Sequence, residues 1–176
     1  MKRSFELQTE RLRLRPVGLH DVFSLFEMFD DPEHMHYYPR TFSLEETRNW
    51  IRWNMRGYRT FGYGLWVMER SGDGEFVGQC GLTNQLVEHE QFVEVGWHTR
   101  RAMWGHGYAA EAGIVCRDYA FEALGLDRLI SLIRPENEQS ARVAQKLGMA
   151  VWRETIKAGL IHHVYSMTRD EWESLR

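Results

Sequence analysis

The feature that most constrains the fold is a change of hydrophobic period near the middle of the chain. In "QFVEVGWH", residues 91–98, β-branched and aromatic residues alternate with polar ones at the period of two expected of a strand. From Tyr108 the period is helical: Ala112, Val115, Cys116, Tyr119 and Ala123 share a face, and Gly125 is placed to close the helix. "TRRAMWGHG" lies between the two, and "DRLISLIR" after the helix again reads as a strand. Strand, glycine-bearing loop, helix and strand in that order make a crossover unit, whose two strands lie parallel in one sheet. The chain is therefore expected to be α/β.

The flanking segments add mostly antiparallel structure. In "TERLRLRPV", Leu12, Leu14 and Val17 interleave with Arg11, Arg13 and Arg15, a strand with one wet face that Pro16 brings to an end. Asp21 is placed to cap a short helix presenting Val22, Leu25, Phe26 and Phe29 and ending near Asp31 and Pro32. "SLEE" fits a capping box of Ser43 and Glu46, opening a second helix that runs to about Tyr58. "YGLWVMER" and "EFVGQCGL" are strands joined by the turn "SGDG", and with residues 91–98 they predict an antiparallel meander. Beyond the crossover, "PENEQSARVAQKLGM" predicts a helix capped by Asn137 and closed at Gly148, followed by strands at about 150–157 and 161–168.

Composition narrows the function. A length of 176 residues without repeat, linker or low-complexity tract predicts a single domain over 1–176. A net charge of −3 argues against a general nucleic-acid binder. No stretch approaches the roughly 20 apolar residues of a membrane span, and the opening "MKRSFELQTERLRLR" lacks the apolar run of a leader, so no membrane association and a cytoplasmic location are expected. Cys80 and Cys116 form no CxxC and read as buried thiols.

The loop itself is built for an anion. Backbone N–H groups of Gly105, His106, Gly107, Tyr108 and Ala109 would converge at a helix N-terminus, where the macrodipole favours negative charge and glycine permits close approach, a setting that suits a pyrophosphate. The loop has no GxxxxGK[ST], and the dinucleotide GxGxxG fails at Ala110. Two other readings remain: a flexible loop with glycines at tight turns, and a site for the phosphates of ATP or NAD.

In context, "EVGWHTRRAMWGHGYAAEA", "DRLISLIRPENEQSARVAQKLGM" and "TERLRLRPV" resemble, in order and over nearly the whole chain, the GNAT N-acetyltransferases, particularly the branch acetylating ribosomal-protein N-termini. The resemblance implies a GNAT fold: a mostly antiparallel mixed sheet with a central parallel, splayed strand pair, flanked by helices. It also implies acetyl-CoA as cosubstrate. Trp97 and His98 would offer backbone to pantetheine, Arg101 through Ala109 would hold the phosphates (Arg101, Gly105, His106, Gly107, Tyr108, Ala109), and Asn137 would lie beside pantetheine. Where the family often has Gln or Arg, three residues before the first glycine, this chain has Ala102, leaving Arg100 or Arg101 to supply the charge.

Acetyl transfer to an amine needs a neutral nucleophile and a proton for the departing thiolate. Glu94 stands where related proteins carry a glutamate base; a strand glutamate on a solvated face or in a salt bridge is the competing reading. The resemblance also implies a Ser140 hydroxyl near the sulfur, from where it would donate to the thiolate; the tyrosine that many family members place one turn further along this helix is absent, Val143 and Ala144 occupying that neighbourhood. Asn137 needs no role beyond its cap. The eight histidines include no pair at i, i+4, so no metal is expected; His98, His162 or His163 would at most line the acceptor pocket.

On the acceptor side the resemblance points to Tyr37, Tyr38 and Arg40, with Arg40 suiting an acidic acceptor and the carboxylates of "DDPE" a cationic one. The expected function is acetyl-CoA-dependent N-acetylation of a primary amine, on a protein N-terminus or a small molecule, by direct attack. The rival of another class is a non-catalytic acyl-CoA sensor with the same fold. A homodimer is compatible with the aromatic content and the meander edges, and no motif specifies one.

Overall fold

A computed structural model describes residues 6–176; residues 1–5, the start of the stretch read for a leader, lie outside it. The described strands form one eight-stranded sheet in the order β1-β2-β3-β4-β5-β6-β8-β7. They are β1 (Leu7–Gln8), β2 (Leu12–Pro16), β3 (Leu65–Arg70), β4 (Phe76–Val87), β5 (Glu90–Thr99), β6 (Arg128–Ile133), β7 (Ala150–Lys157) and β8 (Leu160–Thr168). The helices are α1 (Val22–Phe29), α2 (Leu44–Thr60), α3 (Tyr108–Glu122), α4 (Glu138–Lys146) and α5 (Arg169–Glu173). Every adjacent strand pair is antiparallel except β5 and β6, the pair that the crossover through α3 predicts.

Strand alternation sorts the core onto two faces. Trp66 and Met68 of β3, Cys80 and Leu82 of β4 and Val95 of β5 pack with Ala112, Cys116 and Ala120 of α3 and with Ala144 of α4. Val67, between Trp66 and Met68, points the other way, into a cluster with Leu25 and Phe29 of α1 and Ile51 of α2. Burying each such large side chain stabilises the fold by about 1.5–3 kcal/mol before its ordering cost. The sheet is thereby fixed between α3 and α4 on one face and α1 and α2 on the other.

Several elements differ from their expected form. Asp21 is not the side-chain cap of α1: it ends a 3-10 turn, Leu19–Asp21, and makes no cap hydrogen bond there. Its carboxylate instead accepts from the Gly18 N–H at 2.8 Å and from both terminal nitrogens of Arg15 at 2.9 and 2.7 Å, a charge-assisted pairing stronger than a cap. The capping box of α2 forms as expected, with the Glu46 N–H donating to Ser43 Oγ at 3.2 Å and the Ser43 N–H to Glu46 Oε2 at 2.8 Å. β4 continues five residues past Leu82 to Val87, because the turn closing it uses Glu88 and His89 at φ 48° and 76°, without glycine or proline to announce it. Gly78 of β4 passes so close to β5 that a Cβ there would stand 1.9 Å from the His98 carbonyl oxygen.

One irregularity of the sheet creates the site. β5 and β6 pair only at Val93↔Leu129 and Glu94↔Ile130, yet β5 runs on to Thr99 and β6 to Ile133. Past Glu94 the two strands splay and leave a wedge through the middle of the sheet.

Candidate active site

The wedge is continued by the two helices that follow its strands. β5 leads through the loop to α3, and β6 leads to α4. Gly107 is the N-cap of α3 at φ +81° and Gly105 lies at φ +77°, conformations that suit glycine. A Cβ added at Gly105 would meet nothing within 4 Å, and at Gly107 only Arg11 Nη2, at 3.6 Å. Among the described residues no side chain caps α3, so the N–H groups of its first turn face open space, an arrangement that fits an anion such as a diphosphate.

A cleft of about 500 Å³ occupies the wedge and brings together most of the residues singled out from sequence. Gly105, His106, Gly107, Tyr108 and Ala109 line one part of it, with Trp97 and His98 on the free stretch of β5. Asn137 and Ser140 line it from the start of α4, and Tyr37 and Tyr38 from the loop between α1 and α2. Asn137 caps α4 through the Ser140 N–H at 3.1 Å, while Trp97 Nε1 donates to Ser140 Oγ at 3.4 Å across the wedge.

Arg101, Arg40 and Glu94 fall outside this lining. Arg101 turns away to pair with Asp31 at 3.1 Å and, with Arg100, borders a separate depression of about 160 Å³. Arg40 pairs with Glu46 at the start of α2, so its charge is already met. Glu94 sits at the apex of the wedge, half-buried and next to the cleft rather than in its wall.

The surroundings of Glu94 are specific. Its Oε1 accepts the Leu132 N–H at 2.9 Å, a donor that the splay deprives of a strand partner, and its Oε2 accepts from Gln85 Nε2 at 2.5 Å and Thr83 Oγ1 at 3.4 Å. Lys157 Nζ donates to the same Gln85. Neither an open solvated face nor a direct salt bridge describes it. Burial pushes its pKa above the ordinary carboxylate value, against the pull of Lys157 and these donors. Tyr38 lies within electrostatic reach, its phenol pushed up by burial and then by the Glu94 charge.

His98 and His34 form a pair that the sequence left unjoined. His34 Nε2 and His98 Nδ1 are 3.3 Å apart, in a wall of rings that includes Phe29, Tyr38 and Trp50 around His98. Burial lowers both pKa values, that of His98 to about 3, so both imidazoles are neutral at physiological pH. His162 and His163 do not line the cleft: one bonds the Leu160 carbonyl, the other Glu154. Arg142 and Lys146 are cleft residues that sequence reasoning missed, while Glu33 was singled out there only as one of the carboxylates of "DDPE". The i, i+4 spacing of Arg142 and Lys146 on α4 was the one available signal. No cluster of metal-ligating side chains occurs among the described residues.

Comparison with known proteins bears directly on this arrangement. The family model described as "Acetyltransferase (GNAT) domain" matches residues 11–150. The chain belongs to the GNAT acetyltransferase family. The matched stretch contains every residue lining the cleft of this GNAT protein. The Bacillus subtilis protein YkkB is 40% identical over 150 residues, covering 85% of this chain and 87% of its own. An uncharacterised N-acetyltransferase of Bacillus licheniformis, p20, is 30% identical, with 94% and 97% of the two chains covered. Among solved structures, an acetyltransferase from Agrobacterium tumefaciens superposes with a TM-score of 0.80 at 31% identity over 93% of this chain and 94% of the other. GNAT acetyltransferases use acetyl-CoA and act on an amine acceptor, and no described helix of this member is long and apolar enough to cross a membrane.

Proposed function

We propose that the protein moves the acetyl group of acetyl-CoA to a primary amine by direct attack on the thioester. The observation that carries this reading is the wedge itself, a gap between parallel strands that ends in a helix N-terminus with free N–H groups and two glycines at positive φ. Backbone N–H groups from Gly105 to Ala109 receive the diphosphate, and the unpaired edge of β5 at Trp97 and His98 receives the pantetheine amides, with Asn137 and Ser140 on the facing helix.

With Arg101 committed to Asp31, Lys146 of α4 supplies positive charge along the cleft instead, beside Arg142, which also pairs with Glu138 at 2.9 Å. Acetyl-CoA contributes an activated acyl group; the residues of the chain manage protons. Glu94 takes the amine proton, directly or through water, and its raised pKa brings it nearer to that of the proton it must accept. Ser140, whose Oγ accepts from the Trp97 indole at 3.4 Å, donates towards the departing sulfur in this reading.

The test is incubation of the purified protein with acetyl-CoA and a panel of amines, with products read by mass spectrometry. One N-acetylated product and an equal amount of free CoA are expected. Tight acetyl-CoA binding without any acetylated amine would instead identify a non-catalytic acyl-CoA sensor.

A further inference from the structure

The cleft is divided by charge. On the α4 side it is lined by Arg142 and Lys146 and by the N–H groups of the loop. On the side of the loop between α1 and α2 the lining is Glu33, His34, Tyr37 and Tyr38, facing His98. Among the described residues no lysine or arginine lines this second part. Arg40 is bound to Glu46 and Arg101 to Asp31, and neither lines the cleft. The two histidines share a hydrogen bond and carry no charge at neutral pH. Glu33 is exposed, and no cation pairs with its carboxylate among the described residues.

The walls of this part are the rings of His34, Tyr37, Tyr38, His98 and Trp104, with Phe29 and Trp50 packed behind His98. The Phe29 and His98 ring centroids are 5.3 Å apart and edge-on, Tyr38 and His98 are 5.5 Å apart, and Trp104 stands 6.5 Å from His34. Trp50 is 6.0 Å from His98, its indole N–H tied to Gln79 at 2.8 Å. Such a chamber offers flat apolar contact and attraction for a cation over ring faces. It offers a carboxylate no cation, only tyrosine hydroxyls and neutral imidazoles in exchange for its hydration, and sets it against Glu33.

Building on the acetyltransferase reading above, we propose that the acceptor is a primary amine on a flat, ring-bearing body with no carboxylate beside the amine, and that Glu33 draws it in as the ammonium form. Either a small aromatic amine or a peptide N-terminus beginning with an aromatic residue has this chemistry. Free amino acids do not. Glu33 is thus a specificity-determining residue at the entrance, separate from the base that later takes the proton.

Three acceptors with one side chain separate these cases: tyramine has no carboxyl group, tyrosinamide carries the amide of a peptide, and tyrosine carries the carboxylate. CoA release is measured for each with the wild type and with Glu33→Gln, beside the thermal shift caused by acetyl-CoA alone. Tyramine, tyrosinamide or both are expected to exceed tyrosine in kcat/KM by about tenfold or more, the scale of one unfavourable charge contact. Preference for tyramine indicates a small-molecule acceptor and preference for tyrosinamide a peptide end. Glu33→Gln should narrow the gap by lowering the rate with tyramine and raising that with tyrosine, while leaving the acetyl-CoA shift unchanged. Equal use of tyrosine overturns the proposal, as does acetylation of putrescine with none of the ring amines consumed. If acetyl-CoA shifts the melting temperature and no ring amine reacts, the acceptor class is wrong and the cofactor reading stands; if acetyl-CoA causes no shift, the reading beneath it falls too.

Discussion

Glu94 shows how much a single residue gives away in sequence. Its place on a strand face with Gly96 and His98 was legible from alternation alone. Its bond to the Leu132 N–H was not, because that donor is freed only by a splay in tertiary structure. A raised pKa has a definite sign for catalysis: the base works when deprotonated, so turnover should climb with pH through a limb lying above the ordinary carboxylate range. Glu94→Gln should remove that limb and lower kcat on the order of 10²-fold, with the acetyl-CoA thermal shift preserved, since the amide oxygen can still accept from Leu132. A pH–rate profile of unchanged shape would remove Glu94 from the base role. Asp21 makes the matching case for stability. Burial alone would raise its pKa and that of Glu69, but the hydrogen bonds from Arg15, with the Gly18 N–H at Asp21 and Arg13 at Glu69, more than reverse this and hold both below the ordinary value. Their contribution is complete above the unfolded carboxylate range, about pH 4, and is lost as pH falls towards the folded values. Asp21→Asn should cost about 1–3 kcal/mol at neutral pH and flatten the acid side of a plot of melting temperature against pH.

Among the elements, those with local signals were readable. Ser43 and Glu46 announced α2, Asn137 announced α4, and the change of period at Tyr108 announced α3. α5 carries no such signal beyond the capping box of Thr168 and Glu171, because five residues are too short for a hydrophobic pattern to register. The direction of Arg101 was also hidden: the 3-10 turn Arg101–Met103 carries it to Asp31, on the far side of the loop from the cleft. The loop between β5 and α3 supports a prediction about backbone. At φ +81° a valine at position 107 is strained, by about 1–2 kcal/mol for leaving the right-handed region, and its side chain would enter the space in front of the α3 N–H groups. Gly107→Val should therefore melt a few degrees lower yet cooperatively, and should lose its response to acetyl-CoA. Retention of that response would show that the diphosphate does not sit there.

At the scale of the whole molecule, the sequence specified the crossover unit, hence the parallel pair and the helix N-terminus at its end. It could not specify what faces them. Glu33 and His34 lie about sixty residues before His98, and only the packing of α1 and α2 against the sheet brings their loop to the wedge. The choice between an acidic and a cationic acceptor was open for that reason, since it turns on which charges are already paired in space. The cofactor half is the better determined, and it makes a prediction for the intact protein. A ligand that binds only the folded chain stabilises it by about 2.7 kcal/mol at a hundred times its Kd. For a chain of this size each kcal/mol moves the midpoint by about 2–4 °C, so saturating acetyl-CoA or CoA should raise the melting temperature by about 5–10 °C. ATP and NADH at matched concentrations should not, because the β5–β6 wedge adds contacts for a pantetheine arm that neither possesses. Equal shifts from all four ligands would mean that the loop binds diphosphates without regard to what is attached, and the wedge would then have no part in choosing the ligand.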